Sequence, residues 1–178
     1  MMLLNLLKVY HAESPTEINF KNKFSDLLKH PRAFHRDHLQ GHVTGSAWVL
    51  NENHTKVLLV HHAKLNRWLQ PGGHADGDEN VFNVALRELE EETGIRNVKQ
   101  LNSGIFDLDI HPIPARKDFP LHDHYDVRFA FQANDNDSLI VSEESHDVKW
   151  IPLSDLSRYT DNQSIFRMAS KRIALFKS

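Results

Sequence analysis

The sequence predicts an α+β domain in which helices cover a mixed β-sheet. Two observations carry this prediction: several stretches alternate apolar and polar residues, as half-buried strands do, and others place apolar residues at helical spacing. The chain has 178 residues, of which 40% are hydrophobic and 25% charged, an ordinary composition for a globular protein with a sizeable core. Because no repeat, low-complexity tract or linker divides the sequence, we expect a single domain.

Residues 1–40 are expected to form a helical elaboration of that domain, which itself spans residues 41–178. Leucines near the start suit a short docked helix. The stretch "SPTE" then predicts a helix start, with Ser14 as N-cap, Pro15 in the first turn and Glu17 completing a capping box. The predicted apolar side of this second helix contains Ile18, Phe24, Leu27 and Leu28.

The remaining elements follow in order. Strands are predicted at "HVTGSAWVLN" and "KVLLVHH". A glycine-rich stretch leads into "DENVFNVALRELEEETG", which predicts a helix that Asp78 caps and Gly94 ends. Three more strands are expected at "GIFDLDIHPI", "HYDVRFAFQA" and "DVKWIPL". The last element is an amphipathic helix over residues 162–176, with its apolar side at Ile165, Ala169, Ile173 and Phe176.

The composition also limits the partners of the protein. A formal net charge of -3 gives no indication of a polyanion-binding surface, so no nucleic-acid polymer is expected as a partner. The absence of cysteine excludes disulfides, thiolate metal sites and cysteine nucleophiles. The apolar start "MMLLNLLKVY" is too short to span a membrane and lacks the features of a secretory signal. We therefore expect a cytoplasmic protein without a membrane partner, and the oligomeric state stays open.

Four glutamates lie almost side by side in "RELEEE", and three of them share one side of the predicted helix. Like charges at this spacing repel by about 0.2–0.5 kcal/mol per pair. Mg²⁺ or Mn²⁺ would reverse that repulsion, because hard cations take carboxylate oxygens as ligands. Glu88, Glu91 and Glu92 are thus candidate ligands, Arg87 can fix their rotamers, and Gly73 can turn a backbone carbonyl to the ion. A solvated helix face is the alternative interpretation of the charge run alone.

The spacing around these residues resembles the signature of the Nudix hydrolase family. Gly73 is followed after five residues by Glu79, and after seven more by "RELEEETGI" starting at Arg87, so every fixed position of the signature is matched. The resemblance extends over roughly residues 43–176. It implies an α/β/α sandwich with a mixed sheet, divalent cations, and attack of water on the diphosphate of a small-molecule nucleoside diphosphate derivative.

The resemblance also assigns roles to residues. It implies that Glu88, Glu91 and Glu92 bind metal, that Arg87 orients them, and that Glu79 braces the loop against the helix. Many members carry one more catalytic glutamate before a strand like "VKWIP", and Glu144 or its neighbour Glu143 matches that place. Which glutamate acts as general base is not determined by the sequence.

Substrate-binding candidates lie outside the signature. Alternation places His124, Asp126 and Arg128 on one strand face, where we expect Arg128 or His124 to contact a substrate phosphate. A satisfied structural network and a separate transition-metal site are the alternatives for this row. Lys64 and Arg67 are further candidates for a phosphate contact, or are simply exposed.

Two other functions remain open at this point. One is a catalytically silent binding module that retains the fold to sense a nucleotide. The other is an enzyme similar to isopentenyl diphosphate isomerase, although the best-known form of that chemistry uses a cysteine and this chain has none. Because substrate choice depends on loops, the sequence leaves the substrate itself unassigned.

Overall fold

A computed structural model describes residues 3–115 and 119–175, with side chains described up to residue 171. The four α-helices in these ranges are α1 (Leu3–Val9), α2 (Pro15–Leu27), α3 (Val81–Thr93) and α4 (Gln163–Leu175). The strands are β1 (Gly41–Asn51), β2 (Lys56–His62), β3 (Arg67–Leu69), β4 (Gly72–His74), β5 (Lys99–Gln100), β6 (Asp107–Ile113), β7 (His122–Ala133) and β8 (Ser145–Pro152). A 3₁₀-helix at Leu153–Arg158 joins β8 to α4. The predicted α+β class is confirmed.

The N-terminal helices form as predicted, with two local corrections. The Ser14 hydroxyl caps α2 by accepting from the Glu17 N–H at 3.2 Å. The Glu17 carboxylate does not close the predicted box, however, because it accepts from the Glu13 N–H and the Tyr10 hydroxyl, each at 2.8 Å. Ile18 is 52% exposed rather than part of the apolar side, whereas Phe24 is fully buried.

The helix α3 begins one turn into the predicted segment. Its N-cap is Asn80, whose side chain accepts from the Asn83 N–H, and not Asp78. Asp78 instead accepts from the Asn80 N–H at 2.8 Å and so shapes the turn before the helix. The predicted end at Gly94 is confirmed, because its φ of 78° is the left-handed conformation that glycine adopts without strain.

One mixed sheet contains all eight strands, and β1 lies at its centre. Along one edge β1 runs parallel to β7 from Gly41 to Asn51. Along the other edge it pairs antiparallel with β4 near Ser46 and with β2 at Leu50. The strands β5 and β6 pair with β7, while β3 and β8 pair with β2. The strands β3, β4 and β5 were not predicted, because two or three residues are too few to show a period.

The two faces of the central strands meet different surroundings. On one face, Val43, Ala47 and Val49 of β1 join Phe129 and the α3 residue Leu89 in the larger core cluster. On the other face, Trp48 and Leu50 pack with residues of α4 in a second cluster. Helices therefore cover both faces, as an α/β/α sandwich requires. Ile173 and Phe176, predicted to complete the apolar side of α4, lie outside the described side chains.

A buried group of polar side chains ties the N-terminal helices to the sheet. Lys171 of α4 pairs with Glu17 of α2 and, at 2.8 Å, with Asp107 of β6. Phe24 of α2 also belongs to the larger core cluster and packs edge-on against the ring of Tyr125, with ring centres 5.2 Å apart. No helix in the described ranges is long and apolar enough to cross a membrane.

The packing of α2 generates a stability prediction for the proposal that residues 1–40 fold with the domain rather than apart from it. Phe24→Ala should lower the free energy of unfolding by about 3–5 kcal/mol, since it leaves a cavity under the sheet. Chemical denaturation monitored by circular dichroism measures this loss. Ile18→Ala, on the exposed side of the same helix, is the matched control and should change stability by no more than about 0.5 kcal/mol. Equally small losses for both variants would show that α2 is not part of the domain core.

Candidate active site

The helix α3 divides its four glutamates between two environments. The side chain of Glu88 is 16% exposed, and Glu92, one turn later, is 8% exposed as a residue. Glu91 is 61% exposed at the rim of the same side. Glu90 lies apart from them and pairs with Arg96 at 2.8 Å. Two carboxylates are thus withdrawn from water next to β4.

The glycine pair Gly72–Gly73 of β4 allows α3 and its glutamates to approach the strand closely. A Cβ atom on Gly73 would lie 2.5 Å from a carboxylate oxygen of Glu88, and one on Gly72 would lie 2.2 Å from the Ser46 hydroxyl. A side chain at Gly72 would therefore collide with Ser46 and the Gly45 carbonyl, and one at Gly73 would displace the Glu88 carboxylate. The Gly72 N–H donates to the Glu92 carboxylate at 2.9 Å, which fixes the second glutamate against the same backbone.

Arg87 holds the loop and the helix together. Its guanidinium donates to the His74 carbonyl at 2.8 Å and to Glu88 at 2.7 Å, and it lies 3.8 Å from Glu91. The predicted orienting role needs these contacts, and the role itself stays a prediction. Glu79, for which a bracing role was predicted, is instead exposed beside the N-terminal segment, near Leu3 and Phe34. The side chain that joins the loop to the helix is thus that of Arg87.

Burial makes this pair of carboxylates basic. Desolvation raises the pKa of Glu92 to about 8, the charges of Glu88 and Glu144 add to that effect, and the Gly72 N–H opposes it. Desolvation also raises the pKa of Glu88, against the lowering effect of Arg87. Without a cation the site therefore favours a bound proton, and a divalent cation would compete for the same oxygens.

The candidates Glu144 and Lys64 form an ion pair, and the Glu144 carboxylate acts electrostatically on Glu92. Glu144 is exposed and pairs with Lys64 at 3.1 Å, which holds the pKa of the Glu144 carboxyl below its usual value. Its charge nevertheless reaches both Glu92 and His74. Arg67 is exposed on β3. The structure therefore brings Glu144 and Lys64 together at the rim of the site.

Arg128 does not have the surroundings of a substrate ligand. Its side chain is 2% exposed, and its guanidinium donates to Asp126 at 2.7 Å and to Asp107 and Asp109 at 3.1 Å each. Arg167 of α4 covers the same two aspartates of β6. The predicted phosphate contact is corrected accordingly: the nitrogens are already occupied, and α4 covers this part of the polar row.

The carboxylates of β6 were missed by sequence reasoning, although a signal was present. Asp107 and Asp109 alternate with apolar residues, as do Asp126 and Arg128 on β7, and opposite charges on neighbouring strands favour pairing. Burial alone would raise the pKa of Asp107, but the hydrogen bond from Arg167 and the charge of Arg128 outweigh it and the pKa is lowered. The buried aspartates of β6 and β7 are thus stabilised in their charged form by the guanidinium groups of Arg128 and Arg167.

Further along the polar row, His124 lies among other histidines. The ring centres of His42, His74 and His124 are 4.9–5.1 Å apart. Burial, followed by the other histidines, lowers the pKa of His124 to about 2. Burial and His74 lower that of His42 to about 4, although the backbone of His38 acts in the opposite direction. These imidazoles are neutral at pH 7, and the structure places His124 in this cluster rather than beside the glutamates of α3.

The chain is similar in sequence and in fold to proteins of one known family. A family model described as the NUDIX domain matches residues 41–171. The solved structure of a NUDIX-family hydrolase from Clostridium perfringens superimposes with a TM-score of 0.57 at 25% identity, over 76% of this chain and 98% of that one.

Two curated relatives were also found. The chain is 32% identical to the m7GpppN-mRNA hydrolase NUDT17 of Xenopus laevis, over 51% of this chain and 33% of that protein. It is 29% identical to the human nucleoside diphosphate-linked moiety X motif 6, over 72% of this chain and 39% of that protein. The chain thus matches only about a third of the length of these relatives.

The first prediction from the site concerns Arg128. Arg128→Met should lower the free energy of unfolding by about 3–5 kcal/mol, because three buried aspartates lose a shared partner. Urea denaturation measures the loss. Arg158→Met is the matched control: Arg158 is 77% exposed and lies 3.9 Å from Asp155, so its loss should stay within about 0.5 kcal/mol. If Arg128→Met were as stable as the wild type but had a raised KM, the result would instead support a contact between Arg128 and a substrate phosphate.

The second prediction concerns pH. The folded-state pKa of Glu92, about 8, exceeds its ordinary value of 4.5, so its contribution to stability is complete below about pH 4.5 and is lost as the pH rises towards 8. With a chelator present, Glu92→Gln should therefore match the wild type near pH 5 and exceed it above pH 8 by a few kcal/mol at most. Thermal unfolding across this pH range measures the difference.

Glu90→Gln is the matched control for this experiment, because Glu90 belongs to the same helix and is exposed. It should shift the melting temperature little at either pH. If Glu92→Gln lowered stability at both pH values, the hydrogen bond from Gly72 rather than desolvation would dominate the energetics of this residue.

Proposed function

The chain belongs to the Nudix domain family, and on that premise we propose that it is a divalent-metal-dependent pyrophosphohydrolase of nucleoside diphosphate derivatives. The single observation that carries the proposal is the pair of desolvated carboxylates, Glu88 and Glu92, held against the Gly72–Gly73 backbone. A protein that only needed a solvated helix face would not bury two like charges one turn apart. We propose the cytoplasm as its location, as the cysteine-free composition favours.

The residues where α3 meets β4 fit a divalent cation. Glu88 and Glu92 offer buried carboxylate oxygens, Glu91 offers a third at the rim, and the Gly73 backbone lies directly beside Glu88. An all-oxygen donor set suits Mg²⁺ or Mn²⁺. Bound there, the cation would neutralise phosphate charge and lower the pKa of a water molecule.

The protein groups around these ligands have separable tasks. Arg87 holds Glu88 in place, and the Gly72 N–H holds Glu92. Lys64 supplies a positive charge at the rim that a substrate phosphate can use, with Arg67 as a second candidate. Glu144, paired with Lys64, is our candidate for the group that accepts a proton from the attacking water.

The names of the relatives support this substrate class without fixing the substrate. The frog relative is named as an mRNA-cap hydrolase and the human one by a nucleoside diphosphate linked to a further group. Both names describe phosphates in anhydride linkage to a nucleoside, a triphosphate bridge in the first name and a diphosphate in the second. We therefore propose a small nucleotide-like substrate and include a capped RNA in the test.

The test is a hydrolysis assay over a panel of nucleoside diphosphate derivatives and a short capped RNA, with Mg²⁺ or Mn²⁺. At least one compound should be cleaved at its diphosphate, and a chelator should stop the reaction. In ¹⁸O-labelled water, one product phosphate should carry the label. Glu88→Gln and Glu92→Gln should each lower kcat/KM by about two orders of magnitude or more, the effect of losing a strong electrostatic stabiliser.

Glu90→Gln is the matched control, since it makes the same change on the same helix away from the turn. Its kcat/KM should stay within about twofold of the wild type. Tight binding of a panel nucleotide without any turnover would contradict the proposal and indicate a binding module. Equal losses of kcat/KM for Glu90→Gln and Glu92→Gln would mean that activity depends on the total charge of the helix and not on the buried pair of carboxylates.

A further inference from the structure

The polar face of the sheet carries histidines from four different strands at one end. His111 of β6, His124 of β7 and His42 of β1 are direct neighbours across the sheet. His122 lies two residues before His124 and so shares its face. His74 of β4 pairs with Thr44, two residues after His42. The register of the sheet, not the sequence order, brings these five residues together.

Three of these rings have the arrangement that one metal ion requires. The ring centres of His42, His74 and His124 form a nearly equilateral triangle with sides of 4.9–5.1 Å. A tetrahedral ion held at about 2.0–2.1 Å by three imidazole nitrogens places the ring centres about 5 Å apart. One nitrogen from each ring lies within 4.8 Å of the others, and the rings would have to turn or shift to reach the spacing of about 3.3 Å between the ligands of such an ion.

The nitrogen atoms in this cluster lack ordinary partners. Both ring nitrogens of His42 and the Nε2 of His124 are buried, and among the described residues none of the three has a hydrogen bond of good geometry, although the backbone of His38 lies near the His42 ring. Buried polar groups are normally satisfied, so an unpartnered set pointing into one cluster calls for an explanation. A bound metal ion would use nitrogen lone pairs that no protein donor reaches.

The neighbouring histidines provide support of the kind that metal sites use. Nδ1 of His122 lies 2.8 Å from the carbonyl of Pro120, and Nδ1 of His111 lies 3.2 Å from the Asp109 carboxylate. Such contacts fix the tautomer and leave Nε2 as the free nitrogen. The His111 side chain is 41% exposed, and its ring centre lies 5.7 Å from that of His124, so the cluster lies close to the surface.

We propose that His42, His74 and His124 form a second metal site, which takes a divalent transition-metal ion of the zinc class. Neutral imidazole nitrogens suit Zn²⁺, Co²⁺ or Ni²⁺, whereas Mg²⁺ prefers oxygen. Three protein ligands leave a fourth position for water or for the ring of His122. The site is separate from the carboxylates, because Gly73 contacts Glu88 on one face of β4 and His74, the next residue, leaves on the other.

The experiment measures Zn²⁺ and Co²⁺ binding by the 178-residue protein after chelator treatment and dialysis, with excess Mg²⁺ to occupy carboxylate sites. The wild type should retain one equivalent of Zn²⁺ by elemental analysis and melt at a higher temperature with it. Bound Co²⁺ should show the visible absorption of histidine coordination. His42→Phe should weaken Zn²⁺ binding by at least about tenfold, without lowering the melting temperature of the metal-free protein.

The controls separate this site from other sources of binding. His11→Ala changes an exposed histidine far along the chain, and Glu88→Gln changes the carboxylate site; both should retain the Zn²⁺ equivalent. His74→Ala is a second test of the cluster should His42→Phe fold poorly. Equal Zn²⁺ affinity in the wild type and the cluster variants would overturn the proposal, and so would a loss of Zn²⁺ in Glu88→Gln. Neither result would bear on the hydrolase proposal, which depends on Mg²⁺ or Mn²⁺ turnover.

Discussion

The strands β1 and β7 lie side by side in parallel from Gly41 to Asn51, and this pairing fixes which residues share each face of the sheet. On one face it aligns Ala47 with Phe129 under α3, so that the helix carrying the glutamates packs on an apolar surface. On the other face it aligns His42 with His124, and Thr44 with Asp126. A shift of one residue would exchange the two faces and remove both groups of polar residues from their places.

Burying the charged side chains of the polar face costs desolvation free energy, and neighbouring opposite charges offset that cost. Near its middle, Asp107, Asp109 and Asp126 meet Arg128 and Arg167 at hydrogen-bonding distance, so each charge has a partner. Towards the start of β7 the charges give way to histidines, and the buried Nε2 of His124 and both ring nitrogens of His42 lack such partners. The same row of side chains therefore changes along its length from a paired network into a group of nitrogen atoms available to a ligand.

At the carboxylate site the backbone, rather than any single side chain, determines what the glutamates can do. Because Gly72 and Gly73 have no Cβ, β4 comes close enough to α3 to withdraw Glu88 and Glu92 from water. Its backbone donates an N–H, that of Gly72, to Glu92 but not to Glu88. The remaining oxygens are desolvated and basic, which is the condition that favours a cation. Glu91, at the rim, and Glu90, paired with Arg96, show that neighbours in sequence need not share this environment.

The sequence by itself determined the elements with a clear period and the residues that act within one element. Alternation identified β6 and β7, apolar runs on either side of a polar turn identified β1 and β2, capping and spacing identified α2 and α3, and helical geometry grouped Glu88 with Glu92. Only the tertiary structure decided what lies across from these residues. Arg128 lies under α4 and among three aspartates, and three histidines between 32 and 82 residues apart meet at one end of the sheet. Strand register and helix docking set these contacts, and neither leaves a local signal because the partners are distant in the chain.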